Sequence, residues 1–111
     1  MAERSQAELE VLERGRAAAA QNDWRRALSE YLSLPSPELL TADDLEQLAW
    51  AHAWTGDLTQ GVEAWERAYP RFVEEQRWAK AAIAVFWIAW WHMDKGDQAV
   101  ATGWYRRLEQ L

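Results

Sequence analysis

The sequence predicts an all-α protein: three helix–turn–helix repeats, about six helices, stacked side by side into a short solenoid. Three observations carry this expectation. First, three stretches of the chain superimpose: Glu13 to Tyr31, Gln47 to Trp65 and Trp87 to Tyr105. In each, a small residue (Gly15, Ala49, Ala89) stands seven positions before a turn residue (Asn22, Gly56, Gly96), which an aspartate follows (Asp23, Asp57, Asp97). Four residues after the aspartate comes a small residue (Ala27, Gly61, Ala101), and four further on an aromatic (Tyr31, Trp65, Tyr105). Second, the turns lie 34 and then 40 residues apart, and a period of this size belongs to helical pairs that stack on their neighbours. Third, apolar residues recur at three-and-four spacing throughout, and no alternating strand pattern is present.

The elements follow in order. Helix one is expected over Gln6 to Ala20, burying Leu9, Leu12, Gly15 and Ala19. Gln21-Asn22-Asp23 forms the turn, because Asn22 suits a left-handed backbone and Asp23 can cap the next helix. Helix two runs from Trp24 to about Ser33, where Pro35-Ser36-Pro37 stops it. Thr41 opens helix three, with Asp44 placed three positions on for a capping box. Leu45, Leu48, Ala49 and His52 share its buried face. Gly56 ends it, and helix four carries a stripe of Val62, Trp65, Ala68 and Tyr69 until Pro70 ends or kinks it. Glu74 to Arg77 leads into helix five, Arg77 to Met93, which is apolar nearly all round and should be the most enclosed element. Gly96-Asp97 closes it, and helix six runs from about Gln98 to the C-terminus.

The 111 residues are expected to form one domain, with repeats over about 6–34, 41–70 and 77–108. Twelve basic residues face 18 acids, a net charge of −6. Between Glu38 and Glu75 nine acids face two arginines. Such a surface repels phosphate backbones, so nucleic-acid binding by this chain alone is not expected. There is no cysteine, which removes thiol chemistry and thiolate metal sites. The longest uncharged run, Ala81 to Met93, has 13 residues and is too short to span a bilayer. With no apolar signal segment at the N-terminus, a soluble, cytoplasmic chain without membrane contact is expected.

The repeat positions resemble the tetratricopeptide repeat. Leu48-Ala49, Gly56-Asp57, Gly61, Trp65 and Ala68 match it best; Gly15, Asn22-Asp23, Ala27 and Tyr31, then Ala89, Gly96-Asp97, Ala101 and Tyr105, follow. The family's early tryptophan is here Val11, Leu45 and Val85, and its tyrosine is Ala18, His52 and His92. The resemblance implies a right-handed solenoid in which small residues admit close helix pairing. Ala53-Trp54-Thr55-Gly56-Asp57, Trp65-Glu66-Arg67-Ala68-Tyr69 and Ala99 to Trp104 are similar to the helical-repeat regions of LuxR-type bacterial transcriptional regulators. That likeness implies a sensing, oligomerisation or partner-binding role, with the DNA-contacting module absent from this sequence.

In such a stack the first helix of each pair lines the concave face. Leu12 and Arg16 from helix one, Asp43, Glu46, Trp50 and Trp54 from helix three, and Ile83, Phe86, Trp90 and Met93 from helix five map there. The candidate binding residues are therefore Arg16, Glu46, Trp50, Trp54, Phe86, Trp90 and Met93, an aromatic groove for an apolar or amphipathic segment of a protein partner. Glu46 and Asp43 would steer a basic flank. Aromatics at helical spacing also serve as core, and Trp87 and Trp91 are expected on the opposite side as structural residues. On helix six, Val100, Trp104, Tyr105 and Leu108 form a surplus apolar face, expected to self-associate or to receive a following repeat.

The expected function is a non-catalytic interaction or oligomerisation module, and no enzyme constellation is found: there is no Gly-rich phosphate loop and no nucleophile elbow. The alternative is a small-molecule receptor that encloses an apolar ligand among its nine tryptophans. No cofactor or metal is expected. His52 and His92 occupy the same repeat position, and no second ligand stands at metal-binding spacing.

Overall fold

The computed structural model describes residues 5–35 and 40–111. It contains six helices: α1 (Gln6–Ala20), α2 (Trp24–Leu32), α3 (Ala42–Trp54), α4 (Leu58–Glu74), α5 (Trp78–Asp94) and α6 (Gln98–Glu109). The described residues hold no strand, so the all-α helical-repeat architecture read from the sequence is present. The Pro35-Ser36-Pro37 stop falls partly outside the described residues.

Each helix packs chiefly on the next in chain order. The first helices of the three pairs also touch sideways. Arg16 of α1 holds Asp44 of α3, and Asp43 and Glu46 of α3 hold Arg77 and Lys80 at the start of α5. Tyr69 of α4 meets Trp104 of α6 edge-on, 5.4 Å between ring centres. The result is a slab 43 × 31 × 22 Å. Its radius of gyration, 14.5 Å, exceeds the ~13 Å of a compact chain of this length.

Four short turns share one geometry. In each, a residue with positive φ closes the preceding helix: Asn22 (60°), Gly56 (97°), Gln76 (57°) and Gly96 (83°). The next residue donates its N–H back to a carbonyl five residues earlier: Asp23 to Ala18, Asp57 to His52, Arg77 to Phe72 and Asp97 to His92. This is the Schellman closure, which satisfies the last carbonyls of a helix. The same residue then begins the following helix. The turn at Gln76, expected only as a lead-in, is thus a full equivalent of the other three. It makes α4 and α5 equal 17-residue helices, and the 40-residue spacing is two such helix-plus-turn units. Pro70 lies inside α4 and does not end it. Pro70 and Glu66, whose carbonyl loses its usual donor, are both exposed, so that carbonyl is not left in a buried, unsatisfied position.

Caps also match the sequence in part. Ser5 with Glu8 and Thr41 with Asp44 form reciprocal capping boxes. Asp23 and Asp57 accept N–H bonds from Arg26 and Gln60. Asp97 makes no cap bond; its carboxylate stands 4.0 Å from Nδ1 of His92 instead.

The small repeat residues act where helices cross. A Cβ on Gly61 would come within 2.9 Å of the Ala49 carbonyl, and one on Gly15 within 3.3 Å of the Tyr31 ring. α3 and α4 therefore meet backbone to backbone at Gly61, and Tyr31 fills the space over Gly15. Tyr31, Trp65, Phe72, Leu45, Val85 and Ile88 are fully buried. Two expectations fail. Leu9 is 44% exposed, because the face of α1 that carries it is not covered. α5 is not the most enclosed helix. It buries Ala81, Ala84, Val85, Ile88 and Ala89, while Ile83, Phe86, Trp90 and Met93 stay exposed. Being apolar all round does not cover a helix that has neighbours on one side only.

Candidate functional site: an aromatic cleft on the first-helix layer

The C-terminal half of α3 brings Trp50, Ala53 and Trp54 to one side of a cleft. α4 supplies Leu58 and Trp65, and α5 supplies Trp87 and Trp90. The cleft measures about 230 Å³. Its construction follows from the turn at Gly56: reversing the chain there sets Leu58 and, two helical turns on, Trp65 beneath the end of α3.

The tryptophans brace one another. Trp50 meets Trp65 and Trp87 edge-on at 5.2 and 5.5 Å, and Trp87 stacks on Trp65 at 5.9 Å with planes 14° apart. Trp87 also touches Trp90 edge-on at 6.0 Å. Such pairs each contribute ~1 kcal/mol beyond the area they bury, so the wall is fixed before anything enters. Trp65 is fully buried and its indole N–H has no acceptor. Trp54, by contrast, is 67% exposed.

Two further clefts share lining residues with it or with each other. One, about 420 Å³, shares Trp50 and Trp54 and adds Asn22, Trp24, Gln47 and the Glu46–Lys80 pair. The next, about 490 Å³, shares Gln47 and is walled by Arg16, Thr41, Asp43 and Asp44. Together they make a groove that is aromatic at one end and polar at the other.

The polar end is closed on itself. Arg16 donates two hydrogen bonds of 2.8 Å to Asp44, which also accepts one from the Thr41 N–H. Burial opposes the charge on Asp44, but the bonds from Arg16 and Thr41 outweigh it and hold this carboxyl below the usual range. Arg77 donates to both oxygens of Asp43 at 2.8 and 2.9 Å and lowers that carboxyl as well. Lys80 donates to buried Glu46 at 2.7 Å. The two acids expected to steer a basic flank, Asp43 and Glu46, thus already hold cations of this chain. Beneath them, burial together with the Asp44 charge pushes the Tyr31 phenol up to about 12. Burial lowers the His52 imidazole.

Of the residues singled out from the sequence, Trp50, Trp54 and Trp90 converge on the aromatic cleft. Glu46 and Arg16 lie along the polar stretch. Phe86 and Met93 line none of the three clefts; they stand on the outer side of α5, 48% and 42% exposed. Trp87, assigned to the opposite side, is a wall of the cleft, and so is Trp65. In the 40-residue alignment Trp87 matches Gln47, which lines both neighbouring clefts, so the rear assignment did not follow from that alignment. α5 is 17 residues long against 13 for α3, so matching their C-terminal turns leaves an unmatched turn at the start of α5. The Asp43–Arg77 and Glu46–Lys80 pairs, both 34 residues apart, mark where the helices start side by side. On α6, Val100 is exposed, but Trp104 is half covered by Tyr69 and by the Arg107 guanidinium 4.1 Å above its ring. Tyr105 and Leu108 are half-buried.

Among the described residues no three His, Asp or Glu side chains converge as a metal site, and no helix is long and apolar enough to cross a membrane. No protein-family model matches the chain, and no curated protein or solved structure is significantly similar to it.

Proposed function

We propose that this chain is a non-catalytic interaction module that seats a large apolar side chain of a partner protein in the tryptophan cleft. The observation that carries the reading is the cleft itself: a preformed space of about 230 Å³ between braced indoles, with Trp54 projecting at its rim. Its lining of Trp50, Ala53, Trp54, Leu58, Trp65, Trp87 and Trp90 is indole and aliphatic, which suits a large apolar anchor side chain. The polar stretch that continues along α3 gives the rest of an amphipathic segment somewhere to lie. Its charges are paired, so it offers hydrogen-bonding groups and not a field for a basic flank. The resemblance to tetratricopeptide repeats and to the repeat regions of LuxR-type regulators supports the same class of role, and suggests a regulatory protein as the partner.

The test is a tryptophan-fluorescence titration with amphipathic peptides that differ at one anchor position, Ala, Leu or Trp. Affinity should rise at least about tenfold from the Ala to the Trp peptide, which corresponds to ~1.4 kcal/mol. Trp54→Ala should abolish that dependence, while Trp78→Ala, exposed but outside the cleft, should retain it. Equal binding of all three peptides, or an unchanged response in Trp54→Ala, would overturn the proposal.

A further inference from the structure

Arg16, Trp50 and Trp90 occupy the same repeat position, 34 and 40 residues apart. The first two do the same job. Arg16 reaches from α1 to Asp44 of the next first helix, and Trp50 reaches from α3 to Trp87 of the next. Trp90 is the third member, and among the six helices none follows α5 in that layer; its ring contact is with Trp87 of its own helix. The neighbouring positions agree. Asp43 and Glu46 of α3 hold α5 through Arg77 and Lys80. Their counterparts 40 residues on are Ile83 and Phe86, which are 41% and 48% exposed. The face that seats the next helix is therefore repeated on α5 with its acids replaced by apolar groups, and it is bare.

We infer that this stripe, Ile83, Phe86, Trp90 and Met93, pairs with the same stripe of a second copy of the chain. Two arguments select that occupant. The stripe carries no charge, so setting the patch against itself across a two-fold axis meets no like-charge repulsion. Most of the acid also precedes α5 in the chain, and the two acids of α3 that border its start, Asp43 and Glu46, are paired with Arg77 and Lys80. From Trp78 to Leu111 four basic residues (Lys80, Lys95, Arg106, Arg107) face three acids (Asp94, Asp97, Glu109), a balance of +1, against eight bases and 15 acids, −7, in the 77 residues before. Two copies can meet through α5 while their acidic surfaces stay apart. An antiparallel pairing centred at Ile88 sets Phe86 of one copy opposite Trp90 of the other, and Ile83 opposite Met93. The association surface is thus assigned to α5, and not to the stripe of α6, where Trp104 is partly engaged by Tyr69.

The experiment is light scattering coupled to size-exclusion chromatography over a concentration series, with Ile83→Asp and Phe86→Asp as variants and circular dichroism to confirm that each remains folded. The unmodified chain should move toward twice 12.9 kDa as concentration rises, and both variants should remain at the single mass. Trp54→Ala should still dimerise, so the peptide-binding reading and this one fail separately. A monomer at every concentration, or a dimer unaffected by Phe86→Asp in a folded variant, overturns the inference.

Discussion

The two ends of the groove solve the same packing problem with opposite chemistry. At the polar end α1, α3 and α5 are joined by ion pairs: Arg16–Asp44, Arg77–Asp43 and Lys80–Glu46. At the aromatic end α3, α4 and α5 are joined by indoles: Trp50, Trp65 and Trp87. Ion pairs consume the charges they use, so the polar end fixes helix positions and leaves little unmatched field. Indoles are too large to be consumed. A ring that braces its neighbours with one edge still offers a face or edge to the cleft. The difference teaches that the acidity of the chain is a poor guide to what this face could bind, since three of the acids on it are neutralised internally. The aromatic surplus is the better guide.

The largest expected effect belongs to the aromatic end. Trp65→Ala removes a fully buried ring against which both Trp50 and Trp87 lean. A loss of ~3–5 kcal/mol in folding stability is expected, as for large aromatic-to-alanine changes in a core, read by denaturant unfolding. A loss under ~1 kcal/mol would mean that the indoles do not form the bracing wall described here.

The polar end should respond less. Asp44→Ala deletes the Arg16 bonds and one half of the Thr41 capping box, but Arg16 is half exposed and can rehydrate. About 2 kcal/mol is expected, the scale of hydrogen bonds to a charged group. The pH dependence has a definite sign. Asp44 is depressed in the folded state relative to its unfolded value near ~4. Its contribution is therefore complete above that pH and disappears as pH falls through the lower folded value. The gap between wild type and Asp44→Ala should narrow in strong acid. A gap that is constant with pH would show that the carboxylate's charge plays no part.

Much of this was legible from spacing alone. The Gly61 crossing, the Tyr31 and Trp65 plugs and the turns at Asn22, Gly56 and Gly96 all follow from recurring residue size. So did three residues of the cleft, Trp50, Trp54 and Trp90, because they sit on the first-helix face. What was not legible depends on lateral neighbours. Glu46 and Asp43 read as free acids until α5 brings Lys80 and Arg77 beside them. Trp87 read as a rear residue because spacing did not show that α4 would set Trp65 against it. α5 read as enclosed because pattern reports how apolar a helix is and not how many sides have neighbours. The turn at Gln76 was missed because glutamine carries no signal for a left-handed backbone.

That missed turn gives the smallest expected effect, and it bears on both ends of the groove. Asn22 and Gln76 adopt nearly the same positive φ, 60° and 57°. Asparagine tolerates this region because its short side chain can bond locally, whereas glutamine meets the Cβ–carbonyl clash of a left-handed L-residue. The turn at Asn22 is therefore built from a suitable residue, and the turn at Gln76 that launches α5 is strained. Gln76→Gly should stabilise the fold by ~0.5–1 kcal/mol, since glycine removes the clash and gives back part of the gain in unfolded-state entropy. Asn22→Gly should change it by a few tenths at most. Thermal unfolding of the two variants side by side measures the difference. If both variants destabilise equally, the Gln76 turn carries no strain.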